Sequence, residues 1–372
     1  MIIKNVLIYN EYKYFEEGSI YIKDGVFVEP FEEDDEIIDG QGCYAIPGLI
    51  DIHFHGCMGY DFCDGTQEAL EKIAEYEASQ GITPIVPATM TLPEPFLMHV
   101  MSNAGNYKNE KGAILAGINM EGPYISADKK GAQLAKYIRK PNVEEFRSLQ
   151  KAANGLIKLC DIAPETDGAM EFIRELKDEV RISLAHTNAG YDLAKEAYEC
   201  GACHLTHTFN GMTPFSHREP GVIGAAMDAK NVLCELICDG IHVHPAVVRG
   251  AFDMFGDDRI VFVSDSLKTL GVPDGVYKAG DYEVKVEGKR VTLPDGTIAG
   301  SNTNLLECMR TAVLEMEIPL ESAVGCVTIN PAKSVGIDDK YGSITPGKVA
   351  NAVLLNFDLT TKEVILKGKL CL

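Results

Sequence analysis

Two histidines one residue apart, His53 and His55, stand in the segment Asp51-Ile52-His53-Phe54-His55, directly after an apolar run. On an extended strand, residues two apart project to the same face, so both imidazoles can reach one metal ion. Imidazole nitrogen suits zinc, iron or nickel. Three more potential ligands each follow a short apolar run: Glu121 after residues 116–120, His186 after Ser183-Leu184-Ala185, and His207 after Thr206. A carboxylate in such a setting is costly unless a cation or hydrogen bonds compensate it. One Glu with two His forms a ligand set that leaves coordination positions open for water and substrate. Asp265, after Val263-Ser264, adds a carboxylate that could take a proton from an attacking water and return it to a leaving amine. The chemistry expected of this set is metal-dependent hydrolysis of an amide.

Other polar residues crowd the same stretches. Asn210 and Gly211 follow His207 closely, and Asn210 offers side-chain donors. Arg218, in His217-Arg218-Glu219-Pro220-Gly221, carries a planar fork matched to phosphate or carboxylate. His242 follows Asp239-Gly240. Cys200-Gly201-Ala202-Cys203-His204 has the spacing of a haem-attachment motif. It reads better as a helix end, a glycine just past it and a new strand, with ordinary buried thiols.

The elements that must position these residues alternate. Short apolar runs occur at 49–52, 82–86, 114–119, 156–160, 182–185, 204–206, 232–238 and 260–263, with helical patterns between them at 67–79, 167–177, 191–199 and 245–255. About eight strand–helix units predict an α/β barrel, whose active site forms at the C-terminal ends of the strands. Several runs end on His53, Glu121, Asp161, His186, His207, Asp239 or Asp265, as that architecture requires. Residues 1–48 and 344–372 are strand-rich, with a hairpin turn at Lys23-Asp24-Gly25, and are expected to pair into one small β domain. The barrel is expected over 49–343, interrupted by glycine-rich hairpins near 273–299.

The 372 residues are 46% hydrophobic, enough for one large core or two smaller ones. A formal charge of −21 repels phosphate backbones and anionic membranes, which argues against nucleic acid or membrane partners. No stretch approaches the roughly 18 apolar residues of a bilayer span. The first 24 residues alternate apolar and charged positions, unlike an export signal. Eleven scattered cysteines do not make a disulfide framework, so a reduced cytoplasm is expected.

The motif-bearing stretches are collinear with those of a known family. Residues 47–56, 121–124, 163–165, 206–212, 217–221, 239–243, 296–301, 330–332 and 342–347 together resemble the N-acetylglucosamine-6-phosphate deacetylase family of the amidohydrolase superfamily. The resemblance implies a (β/α)8 TIM barrel with a small β-sandwich from both termini, usually dimeric. It implies Glu121, His186 and His207 as core metal ligands, joined here by His53 and His55, and Asp265 as general base and then acid. The metal would be zinc or ferrous iron, one or two ions per chain. Arg218 would bind the sugar phosphate across a homodimer interface, helped by His242, Asn210 and Gly211, with residues Ile298, Ala299 and Gly300 closing over the sugar.

The implied substrate is N-acetyl-D-glucosamine 6-phosphate, with the galacto epimer or another N-acyl amine as the alternative. Five departures bear on that choice. Gln133 stands where the family usually has a histidine that polarises the acetyl carbonyl, and Gly211 replaces the usual alanine. Ser264 and Ser266 flank Asp265 where Thr and Ala are common, and Asn119 stands where His is frequent.

Overall fold

The computed structural model describes residues 1–31, 36–108, 111–279 and 282–371, apart from the side chains of residues 279 and 282. Residues 32–35 of the expected terminal domain and 280–281 of the expected insertion lie outside them. The fold is mixed α/β. Its centre is built from apolar segments such as Ile260–Val263, all four of whose residues are buried, as suits a strand covered on both faces.

These strands run parallel in two sheets. One holds Leu49–Asp51, Ile82–Ile85 and Ile114–Leu115; the other runs Ile118–Met120, Ile157–Ile162, Arg181–Leu184, His204–Leu205, Leu233–Ile237 and Ile260–Val263. The third apolar run was expected to be continuous, yet it breaks at Ala116-Gly117. The close approach of the neighbouring strand explains the glycine: a Cβ at Gly117 would sit 2.4 Å from Cγ of Lys158. Residues past the strand ends link the two sheets. Ala88 and Asn119 form a parallel bridge. At the other edge, Asp265 N donates to His53 O (2.8 Å) and His55 N donates to Ser266 O (2.7 Å).

Helices Gln67–Ser79 and Pro245–Phe255 occupy the expected residues. The first is capped by the Thr66 hydroxyl, which accepts from Ala69 N. The helix expected over 167–177 is shorter, Ala169–Leu176, because Gly168 precedes it in a left-handed conformation. Tyr191–Cys200 ends at Gly201, and His204–Leu205 begins the next strand. Cys200 is the last residue of that helix, Cys203 directly precedes the strand, and neither forms a disulfide.

Both termini enter one sheet. Tyr44–Pro47 lies between Ile2–Tyr9 and Ala352–Leu355, and Phe15–Lys23 and Thr361–Leu366 extend the sheet on either side. Asp24 and Gly25, both at positive φ, form the expected tight turn. Ile3, Val6, Ile20, Ala45, Leu354 and Ile365 form a core separate from the main one. The hairpins expected after the last parallel strand make a four-stranded antiparallel sheet: Gly275–Ala279, Tyr282–Glu287, Arg290–Thr292 and Ile298–Ser301. Among the described residues, no helix is long and apolar enough to cross a membrane.

Leu354 is fully buried where the two ends of the chain meet. Leu354→Ala is expected to lower stability by about 2–5 kcal/mol, read as a lower midpoint in chemical denaturation with unchanged far-UV circular dichroism before the transition.

Candidate active site

The C-terminal ends of the parallel strands bring the predicted ligands together. His53 and His55 follow Leu49–Asp51, Glu121 follows Ile118–Met120, His186 follows Arg181–Leu184, His207 follows His204–Leu205, and Asp265 follows Ile260–Val263. Three of them, His186, His207 and Asp265, have positive φ (43°, 26° and 48°). Such a backbone is uncommon for non-glycine residues and costs on the order of 1–3 kcal/mol each. It turns the chain sharply where each strand delivers its side chain to the site.

Glu121 is the centre. Its Oε1 lies 3.0 Å from His186 Nε2, 3.3 Å from His207 Nε2 and 3.5 Å from His53 Nε2. Its Oε2 lies 3.4 Å from His55 Nε2, which is also 3.3 Å from Asp265 Oδ1. All these residues are buried.

The ring orientations follow from what the opposite nitrogens meet. His186 Nδ1 faces the Lys129 carbonyl (2.7 Å) and His207 Nδ1 faces the Asn210 carbonyl (3.1 Å). A carbonyl only accepts, so each Nδ1 carries the proton and, in the neutral ring, each Nε2 presents a lone pair. Those two Nε2 atoms are 3.2 Å apart, with a carboxylate oxygen beside both. Lone pairs converging on a carboxylate repel one another unless a cation lies among them. His53 repeats the pattern, with Nδ1 on Glu235 Oε2 (2.9 Å) and a buried Nε2 that has no hydrogen-bond partner.

The electrostatics agree. Burial pushes the Glu121 carboxyl up, but the imidazoles of His186, His207 and His53 packed against it hold it well below the usual range. Burial lowers His53, yet the carboxylates of Glu235 and Glu121 hold its imidazole well above the ordinary value. Asp265 is likewise held down, against burial, by His55 and His53. Three carboxylates, Glu121, Glu235 and Asp265, are thus kept ionised among these imidazoles. Two candidate ligand groups emerge, His53 with Glu121 and His207, and His53 with His55 and Asp265; in each the ligand atoms lie within 4.8 Å of one another. The donor set of imidazoles and carboxylates fits zinc or ferrous iron.

A cavity of about 180 Å³ opens above this cluster. Gln133, Asn210, Gly211, His242, Ile298, Ala299 and Gly300, each predicted from the sequence, line it with His55, Glu121, His186, His207 and Asp265. His53 lies beneath. His242 is fixed by Nδ1 on Asp239 Oδ2 (2.7 Å), which uses up the acid expected at that strand end. Asp161, the other expected strand-end acid, sits inside its strand and accepts from Thr206 Oγ1 (3.0 Å) rather than reaching the site.

Gln133 donates from Nε2 to Glu121 Oε2 (2.5 Å), while its Oε1 accepts from Thr91 N (2.7 Å). Its amide is thus spent largely on holding the carboxylate. Asn119 turns away from the cluster and donates to Ile52 O (3.2 Å). Arg218 is exposed and does not line the cavity.

The chain has relatives over nearly all of this architecture. The amidohydrolase family profile matches residues 44–371. The N-acetylglucosamine-6-phosphate deacetylase of Bacillus subtilis (strain 168) is 36% identical over 100% of this chain and 96% of its own length. The chain belongs to the N-acetylglucosamine-6-phosphate deacetylase family of amidohydrolases. Within the family, the N-acetylgalactosamine-6-phosphate deacetylase of Escherichia coli O157:H7 is 32% identical over 96% of this chain and 95% of its own. Among solved structures, the N-acetyl-D-glucosamine-6-phosphate deacetylase of Mycobacterium smegmatis, a mutant in complex with N-acetyl-D-glucosamine-6-phosphate, superposes with a TM-score of 0.92 at 29% identity, covering 100% of this chain and 99% of that one.

One residue of this deacetylase-family site was not found from the sequence. Glu235 is fully buried in the middle of Leu233–Ile237. Its Oε2 accepts from His53 Nδ1 and from His207 N (3.0 Å), so one carboxylate orients two candidate ligands. The available signal was an acid inside an apolar run, Leu233-Cys234-Glu235-Leu236-Ile237. Removing such a partner typically weakens metal binding about 10–100-fold. Glu235→Met is expected to bind zinc at least about tenfold more weakly than the unaltered chain, measured by titrating metal-stripped protein.

Proposed function

We propose that the protein hydrolyses the acetamide of N-acetyl-D-glucosamine 6-phosphate, giving D-glucosamine 6-phosphate and acetate. The observation that carries this reading is the convergence of Glu121, His53, His55, His186 and His207 beside Asp265 at the floor of a cavity lined by sugar-binding candidates. Full-length relatives named for this activity support it.

In this reading the two parallel sheets form a single (β/α)8 TIM barrel over 49–343. Support comes from the bonds between residues past the first and last strands. Residues 1–48 and 344–372 form the small β-sandwich domain, and 273–299 is an insertion that brings Ile298 to Gly300 over the substrate. Glu121, His186 and His207 would hold one divalent cation, zinc or ferrous iron, and His53, His55 and Asp265 offer a second position. A cation there supplies Lewis acidity and lowers the pKa of a water in its coordination sphere.

The chain's own groups do the rest. Asp265, held as a carboxylate, accepts the proton of the attacking water and returns it to the amine nitrogen as the C–N bond breaks. Gln133 keeps Glu121 in place. Asn210, Gly211 and His242 bind the sugar phosphate on one side of the cavity. Exposed Arg218 completes the phosphate site of a neighbouring subunit in a homodimer. The reaction would run in the cytoplasm, in keeping with eleven unpaired thiols.

A second reading keeps the chemistry and changes the sugar. It is favoured by the N-acetylgalactosamine-6-phosphate deacetylase relative and by Gln133 and Gly211. Comparing kcat/KM on the two epimers decides between them, because a site that hydrogen-bonds a hydroxyl discriminates its orientation.

Metal-loaded protein is expected to release acetate from N-acetyl-D-glucosamine 6-phosphate, and Asp265→Asn to lower kcat by about 10²–10⁴-fold. No acetate from either epimer, or full activity in Asp265→Asn, would sink the proposal. Chelation is expected to abolish turnover and added zinc to restore it.

A further inference from the structure

A second hollow, of about 350 Å³, adjoins the candidate active site. Met90, Leu92, Phe96, Leu134, Tyr137 and Leu267 give it apolar walls, with Asp61 and Lys268 also lining it. Met90 and Leu267 line the catalytic cavity as well, so they stand as the partition between the two spaces. Nothing in the hydrolysis of an acetamide requires this second space.

Its position relative to the substrate is defined by the strands. Met90 follows Ile82–Ile85 and Gln133 follows Ile118–Met120, whereas Asn210, Gly211 and His242 follow His204–Leu205 and Leu233–Ile237, on the far side of the strand order. A secondary amide is planar and trans, so its two carbon substituents leave in opposite directions. In the deacetylase reading, with the sugar phosphate against Asn210 and His242 and the carbonyl carbon over Glu121, the acyl substituent lies on the Met90 side of the cavity.

The partition is suited to move. Met90 is unbranched, and methionine fills space without fixing it. Its backbone is anchored, N donating to Cys63 Sγ (3.2 Å), while its Sδ makes only a weak contact with Gln133 Nε2 (3.8 Å). Rotation of the side chain would join the two spaces without disturbing the Gln133–Glu121 contact.

We propose that the hollow is an acyl subsite, and that the protein also deacylates amino sugar phosphates whose N-acyl group is a straight apolar chain longer than acetyl, with Met90 as the movable wall. This rests on the deacetylase reading above. The bond chemistry is unchanged: water's oxygen adds to the acyl carbon, the C–N bond breaks, and the products are a longer carboxylate and the same amine, which takes the proton. Each methylene seated in an apolar hollow is worth about fourfold in binding, a gain offset by turning Met90 aside and ordering the flexible chain.

The test uses full-length, metal-loaded protein with N-acetyl, N-butanoyl and N-hexanoyl glucosamine 6-phosphate, assaying the common product glucosamine 6-phosphate. The N-butanoyl and N-hexanoyl substrates are expected within about tenfold of N-acetyl in kcat/KM. Phe96 is half exposed at the far wall of the hollow, so Phe96→Glu should fold. It should lower the hexanoyl-to-acetyl ratio of kcat/KM at least tenfold by placing a charge against the chain. Turnover of the acetyl substrate with hexanoyl a thousandfold or more slower, or an unchanged ratio in Phe96→Glu, overturns the subsite and leaves the deacetylase reading standing. No turnover of any of the three overturns both.

Discussion

The charge of one buried carboxylate governs this protein's centre. Glu121 lies under four imidazole Nε2 atoms, and three of those rings are turned so by an acceptor against Nδ1. An isolated carboxylate in such a place would take up a proton rather than stay ionised. Everything around it works to keep the charge and to aim it. Gln133 grips one oxygen, and the carbonyls of Lys129 and Asn210 set the tautomers of His186 and His207. A cation among these donors resolves a repulsion that the folded chain otherwise maintains.

Maintaining that arrangement takes support from deeper in the fold. Glu235 is a second buried acid one layer below, and it joins His53 to the backbone of His207. His204, nearby, is fully buried and its pKa is pushed down to about 4 by that burial, so it stays neutral beside the acids. Its Nδ1 meets Ser183 Oγ, which in turn meets Thr206 Oγ1. The candidate-ligand layer thus rests on a polar layer inside the parallel strands, and that layer is held in turn by apolar packing outside them. The positive φ values at His186, His207 and Asp265 are tolerable because so many contacts fix the same geometry.

The cavity above has both polar and apolar lining: Asn210 and His242 are among its polar groups, and Met90 and Leu267 among its apolar ones. An amide between a phosphorylated sugar and an apolar acyl group has the same two characters. The antiparallel sheet that supplies Ile298 to Gly300 is tied to the catalytic strand end, since Ser301 N donates to Asp265 O (2.7 Å). The Ile298 to Gly300 segment and the Asp265 carboxylate are therefore mechanically joined.

The sequence by itself determined the candidate ligand set and its order along the chain. His53, His55, Glu121, His186, His207 and Asp265 each sit just past an apolar run, and alternating strand and helix patterns put such positions at one end of a parallel sheet. Periodicity is local, so it survives in one dimension. The tertiary structure alone decided which acids share the site and which serve it. Asp161 and Asp239 look like Asp265 in sequence, yet one bonds Thr206 and the other His242. Glu235 looks like an acid misplaced in a strand until His53 is found against it. It also decided that Gln133 spends its amide on Glu121, that Arg218 faces solvent, and that a second hollow lies behind Met90. Each of these depends on distances between segments far apart in the chain, and residue type and spacing carry no record of such distances.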